Sequence, residues 1–235
     1  MPTNPYILGS SSVPADPWVP TDINGCVLWL RSDLGITMDE SNRVGTWADQ
    51  SGNGYNANQG TDANKFTWID NTLNGYPVLY VDNTDDGMTF TGDPMIPNDS
   101  TIFVVSRFIL DAAGFNTHIS GSGGSLYVSS YSDVRGYFGG ADYFRGTELV
   151  VEAWYYRIIY LNGTNSYIRR NGVDVTTNVS NIGTTTLGNS LMLGNNAGYS
   201  RGYGSQMAEF GVYSGVLSGN NLSLLETYLA GRYGL

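Results

Sequence analysis

The chain has 235 residues, with 21 acidic against 11 basic side chains and a net charge of −10. One domain of this length can bury a sizeable core, but its scattered basic residues, adjacent only at Arg169-Arg170, exclude a nucleic-acid surface, which needs concentrated positive charge to displace counterions. The 31 glycines have no three-residue period, which excludes collagen; the lone Cys26 excludes a disulfide framework, and no apolar run reaches the roughly 18 residues of a membrane span.

Residues 1–21 hold Pro2, Pro5, Pro14, Pro17 and Pro20. Proline fixes φ and lacks a donor, so this segment reads as an extended arm. Its start has no basic or long apolar region, so no secretory signal is expected, and the sequons at Asn98, Asn162, Asn178 and Asn221 are read as products of an Asn/Ser/Thr-rich composition. Residues 26–31 predict the first core strand, with Cys26 as a small buried hydrophobe. A turn at Asp33-Leu34-Gly35, a short element ending in Trp47 and a polar loop over 48–57 follow. Residues 66–69 read as a short edge strand and 75–81 as a strand entering the sandwich, with Pro77 near its start, where a missing donor is tolerated. A sharp polar loop occupies 82–87.

Residues 101–108 are dense in β-branched and aromatic side chains and predict an interior strand. From 110 to 148, Gly-rich turns alternate with Tyr and Phe around a strand at 125–129. A long strand open to bulging is predicted over 149–161, a hairpin strand over 166–170 and short strands over 191–193 and 207–213, the last placing Met207, Phe210 or their neighbours against the core. Residues 220–230 read as a helix: Leu222, Leu225 and Leu229 share one face, Ser218, Asn220 or Asn221 caps the start, and Gly231 stops the run. Short strands punctuated by turns make a β-sandwich without a deep α/β crevice. Function is therefore expected on loops or a sheet face, which favours a binding or particle-building module over a cofactor enzyme. The economical division is an arm at 1–23 and one domain at 24–235.

Several segments in order carry a family pattern: Val27-Leu28-Trp29-Leu30-Arg31-Ser32-Asp33, then Trp47-Ala48-Asp49-Gln50-Ser51-Gly52-Asn53-Gly54, then Asn74-Gly75-Tyr76-Pro77-Val78, and the tail from Leu225 to Leu235. The chain resembles the concanavalin A-like lectin/glucanase superfamily, in its laminin-G-like jelly-roll branch, from about residue 24 onward. The resemblance implies an all-β jelly-roll sandwich of two antiparallel sheets with a C-terminal helix. Such domains occur in bacterial surface proteins and in structural proteins of tailed bacteriophages. With the Pro-rich arm, it implies a non-enzymatic virion component of capsid or tail, assembled in the bacterial cytoplasm. Its partners would be other virion proteins, copies of itself and a host-surface glycan. The alternative is a bacterial carbohydrate-binding, lectin-like module; a glycoside hydrolase comes third.

The residues add their own constraints. Glucanases of this superfamily carry a Glu-x-Asp-x-x-Glu-like arrangement, which is missing here: Asp133, Asp142, Glu148, Glu152 and Glu209 stand apart in sequence, whereas glycoside hydrolysis takes two carboxyls at a set separation. His118 is the sole histidine, which disfavours zinc or a Ser-His-Asp triad. Ca²⁺ is the one metal the chain can serve, through oxygen-rich loops at Asp49 and Asn53 and at Asp82, Asp85 and Asp86; the same residues also serve ordinary Asx turns. Trp47 and Trp68 read first as core mass. Tyr131, Tyr137, Tyr143 and Tyr199 are ring platforms for a sugar or protein, and Trp18 is an apolar anchor within the arm.

Overall fold

The computed structural model describes residues 18–82, 85–94, 96–109, 115–121, 124–129, 134–138, 141–146, 150, 152–179, 190–195 and 204–235. Along the chain run β1 (Cys26–Arg31), β2 (Ile36–Met38), β3 (Val44–Trp47), β4 (Ala57–Asn58), β5 (Thr67–Leu73), β6 (Tyr76–Val81), β7 (Met88–Phe90), β8 (Ser100–Phe108) and β9 (Phe115–Gly121). They continue as β10 (Gly124–Ser129), β11 (Val134–Phe138), β12 (Ala141–Gly146), β13 (Tyr155–Leu161), β14 (Tyr167–Arg170), β15 (Val173–Asp174), β16 (Thr176–Val179), β17 (Met192–Leu193) and β18 (Ser205–Ser214). The helix α1 (Gly219–Tyr233) closes the chain.

The strands form two antiparallel sheets. One has the order β15-β14-β13-β8-β18-β6-β5, with β1 also beside β18; the other runs β16-β12-β11-β10-β9-β17-β7-β4-β3-β2. Strands remote in sequence lie side by side, as β8 and β18 do, and this is jelly-roll connectivity. The long strand β18 changes partner along one edge. Ser205 to Met207 pair with β6, and Glu209 to Tyr213 pair with β1.

Two apolar layers result. Leu28, Leu30, Trp47, Phe66, Ile102, Val104 and Phe210 fill the space between the sheets. Trp29, Phe103, Val105, Ile158, Tyr213, Leu225 and Leu229 fill a second layer between the first sheet and α1. The central strands of that sheet are therefore buried on both faces, and a doubly buried strand reads as a continuous apolar run instead of an alternating one. A bulge between Met207 and Glu209 sets which face each β18 residue takes. Met207 and Phe210 both belong to the inter-sheet core, although strict alternation would send residues three apart to opposite faces.

Several boundaries differ from the sequence reading. The strand expected over 149–161 begins at Tyr155, because Glu152 adopts a left-handed turn at φ 68°. The edge strand expected over 66–69 extends through Leu73. Gly231 does not stop the helix: α1 continues to Tyr233, and Gly234 takes the left-handed C-cap at φ 69°, its N–H donating to Ala230 O. Cys26 is half-buried, and its thiol is pushed up to about 12, chiefly by burial.

Gly211 on β18 lies directly under Phe103, so an added Cβ would overlap that ring and press on Leu28 O at 3.1 Å. Gly211→Ala is expected to cost about 1–3 kcal/mol through overpacking. Adding Phe103→Leu, which removes the ring, should recover part of that loss in urea unfolding. Additive destabilisation in the double variant would contradict the contact.

Candidate functional site

The first sheet and α1 are joined by a buried carboxyl. Glu209 is fully buried and accepts hydrogen bonds from Trp29 Nε1 at 2.6 Å, Tyr233 Oη at 2.7 Å and Tyr228 Oη at 3.0 Å. Burial pushes its pKa up to about 7, against the lowering effect of these donors and of Arg232 and Arg31. Beside it Asp33 pairs with Arg31 at 2.7 Å and with Arg232 at 2.6 Å, while the Arg232 guanidinium lies 3.7 Å from the Tyr76 ring centre. Asn74 Nδ2 donates to Arg232 O, and Arg169 pairs with Glu226. Sequence reasoning left Glu209 isolated, since its partners lie 180, 24 and 19 residues away.

At one rim the loop after β3 turns on Asp49. Its Oδ1 accepts from Trp29 N and Ser51 N, and its Oδ2 from Ser51 Oγ and Tyr55 N. Asn53 Nδ2 donates to Cys26 O and Val27 O. The second acidic loop is engaged elsewhere. Asp82 accepts from Arg43 Nη1 and Thr67 Oγ1, Asp86 is buried and accepts from Asp82 N, and Asp85 is exposed. Among the described residues no group of three or more His, Cys, Asp or Glu is placed to hold a metal.

The open concavity lies next to this rim, where β7 pairs with β17 through Thr89 and Met192. It measures about 410 Å³ and is lined by Thr89, Phe90, Gly92, Asp93, Ser190, Leu191 and Met192, within the range of small-ligand sites. Tyr55 stands behind it. A Cβ on Gly92, which sits at φ +73°, would come within 3.3 Å of the Tyr55 ring, so both the backbone angle and the ring's approach require glycine. Thr91 N donates to Asn56 O and Asn58 Nδ2 to Thr91 Oγ1, while Asn56 Oδ1 accepts from Asp49 N. The concavity is thus braced by the Asp49 loop. Its lining combines the apolar side chains of Phe90, Leu191 and Met192 with two hydroxyl residues and one carboxyl residue.

Of the ring platforms expected from sequence, Tyr131 and Tyr199 lie outside the described residues, and Tyr137 and Tyr143 fall on β11 and β12, away from β7 in the sheet order. Trp18 packs edge-on against Tyr228 of the chain's own helix, with ring centres 5.7 Å apart. Trp47 is core, and Trp68 is partly buried against that core. The concavity itself was missed. Phe90, Gly92 and Asp93 follow one another closely in sequence, but Ser190 to Met192 join them only through the β7–β17 pairing.

No protein-family model matches the sequence, and no curated protein sequence matches it. Solved structures do match. The binding domain of Paraclostridial Mosquitocidal Protein 1 superposes with a TM-score of 0.64 at 13% identity, covering 90% of this chain and 53% of that one. A Trypanosoma rangeli sialidase in complex with sialic acid gives 0.62 at 12% identity, covering 89% of this chain and 33% of that one. The HCR/D F1240A mutant gives 0.58 at 13%, covering 88% and 51%. The chain thus spans a third to about half the length of these structures. At such identities the likeness is one of fold: a two-sheet antiparallel jelly-roll sandwich.

Two buried groups set opposite pH limits on stability. Glu209 is raised from 4.5 to about 7, so its contribution is full below 4.5 and is lost as pH rises through 7. His118 is buried and lowered from 6.5 to about 3 by desolvation and by Arg157, so its contribution is full above 6.5 and is lost as pH falls through 3. Thermal midpoints are expected to peak between these limits, with the alkaline decline flattened by Glu209→Gln. A midpoint still climbing through pH 7 in the unsubstituted protein would mean that Glu209 is ionised at no cost.

Proposed function

We propose that this chain is a non-catalytic, lectin-like carbohydrate-binding domain that seats a sugar in the concavity beside Tyr55. The observation that carries the reading is its chemistry: the apolar side chains of Phe90, Leu191 and Met192 suit the C–H face of a pyranose, and Thr89, Ser190 and Asp93 offer hydroxyl and carboxyl partners for its edge. Resemblance in fold to a sialidase crystallised with sialic acid and to the binding domain of a mosquitocidal protein supports it. A hydrolytic reading finds less support. Asp93 is the single carboxyl among the lining residues, Glu209 is enclosed beneath α1, and a glycosidase needs two carboxyls facing one cleft.

A glycan array followed by calorimetry tests the proposal. Phe90→Ala is expected to weaken the best glycan about tenfold or more, as loss of a buried aromatic contact does, and Asp93→Asn to change which sugar is preferred. Because the Asp49 carboxylate is occupied by four protein donors, binding is expected to survive EDTA. Silence across the array, or unchanged affinity in Phe90→Ala, would reject this site.

Attachment to a virion, through other virion proteins or copies of this chain, is a finer proposal resting on the five arm prolines and the phage-type resemblance. Trp18 packs on α1, and Pro20 O accepts from Tyr213 Oη at 2.8 Å. The segment to remove is therefore 1–17, leaving the domain intact. Loss of particle incorporation is the expected result, and unchanged incorporation would defeat the tether.

A further inference from the structure

A second polar compartment lies inside the sandwich, apart from the concavity. Arg157 projects from β13 and is completely buried, with the inter-sheet residue Phe108 beneath it. Its Nη1 donates to Ser106 Oγ at 2.8 Å, and its guanidinium carbon lies 5.6 Å from the Phe108 ring centre and 5.1 Å from that of Tyr155. Nε and Nη2 have no hydrogen-bond partner. Directly across the strand pair is Arg170, whose guanidinium approaches the same Tyr155 ring at 5.0 Å.

The opposite sheet contributes His118. Its ring packs on Phe108 with centres 5.6 Å apart, it is fully buried, and both its nitrogens lack partners. The position follows from a bulge: Ile119 pairs with Leu126 and Thr117 with Tyr127, leaving His118 as the extra residue on β9. The fully buried Arg157 and His118 thus meet on the Phe108 ring, with Tyr155 and the half-buried Arg170 at the outer side.

A buried guanidinium with two of its three nitrogens unmatched is costly. The aromatic faces offset part of that cost but satisfy no N–H. Burial lowers Arg157 to about 9, which leaves it charged at neutral pH. The unmatched donors are informative, since Nε–H and Nη2–H run parallel along one edge of the guanidinium, the fork that receives both oxygens of a planar carboxylate. A single negative charge matches that of the buried Arg157, and a dianion would carry a larger dehydration cost.

We propose that this compartment binds a small carboxylate, held bidentate on the Nε–Nη2 edge of Arg157 with His118 as the adjoining donor. The ring walls restrict it to a compact anion of formate or acetate size.

Formate is the probe, titrated into the full chain at pH 7 with sodium chloride holding ionic strength constant. The thermal midpoint is expected to rise and saturate with formate, and one arginine Nε–H signal in ¹H–¹⁵N spectra to move with the same half-saturation. Arg157→Met, which keeps the apolar stem, should abolish both responses. His118→Phe, which keeps the ring on Phe108, should weaken formate about tenfold, as expected for one hydrogen bond to a charged group; it also serves as the test if Arg157→Met does not fold. No response beyond chloride in the unsubstituted protein would overturn the proposal, as would an undiminished response in either variant.

Discussion

Glu209 cannot reach water, and its position has consequences for the rest of the molecule. A carboxyl group placed under a helix is unfavourable unless its oxygens are met, and here Trp29 from β1 and Tyr228 and Tyr233 from α1 meet them. The same contacts hold the helix on the sheet. With α1 in place, Phe103, Val105, Ile158 and Tyr213 become interior residues, and the first sheet can be apolar on both faces. The positive charges of Arg232 and Arg31, themselves held by Asp33, lower the cost of ionising it.

This arrangement divides the labour of the two sheets. The helix-covered sheet places Glu209 in the clasp beneath α1. The β7–β17 region of the other sheet stays open beside the Asp49 loop and carries the concavity. Asp49 connects the two regions. It accepts the N–H of Trp29, whose indole serves Glu209, and its own N–H donates to Asn56, whose carbonyl holds Thr91 beside the concavity. The sugar-binding reading therefore places a ligand on a rim braced from the clasp outward.

Loop carboxylates and amides are well suited to satisfying backbone groups in turns without regular hydrogen bonding. Asp49 accepts backbone N–H groups in this way and Asn53 donates to backbone carbonyls, and the tail from Leu225 to Leu235 that carried part of the family resemblance supplies Tyr228, Arg232 and Tyr233 to the clasp. The resemblance identified the fold because these contacts define it, and for the same reason those residues said little about a ligand.

Composition and turn spacing by themselves determined an all-β sandwich, its terminal helix and most of its strands, because β-branched runs bounded by Gly and Asn express local backbone preferences. They could not determine which face Glu209 takes, since a one-residue bulge reverses the alternation and leaves no local signature. Nor could they bring Phe90 to Leu191 or His118 to Phe108. Those contacts depend on strand pairing and sheet packing between segments far apart in the chain, and only the closed tertiary structure decides them.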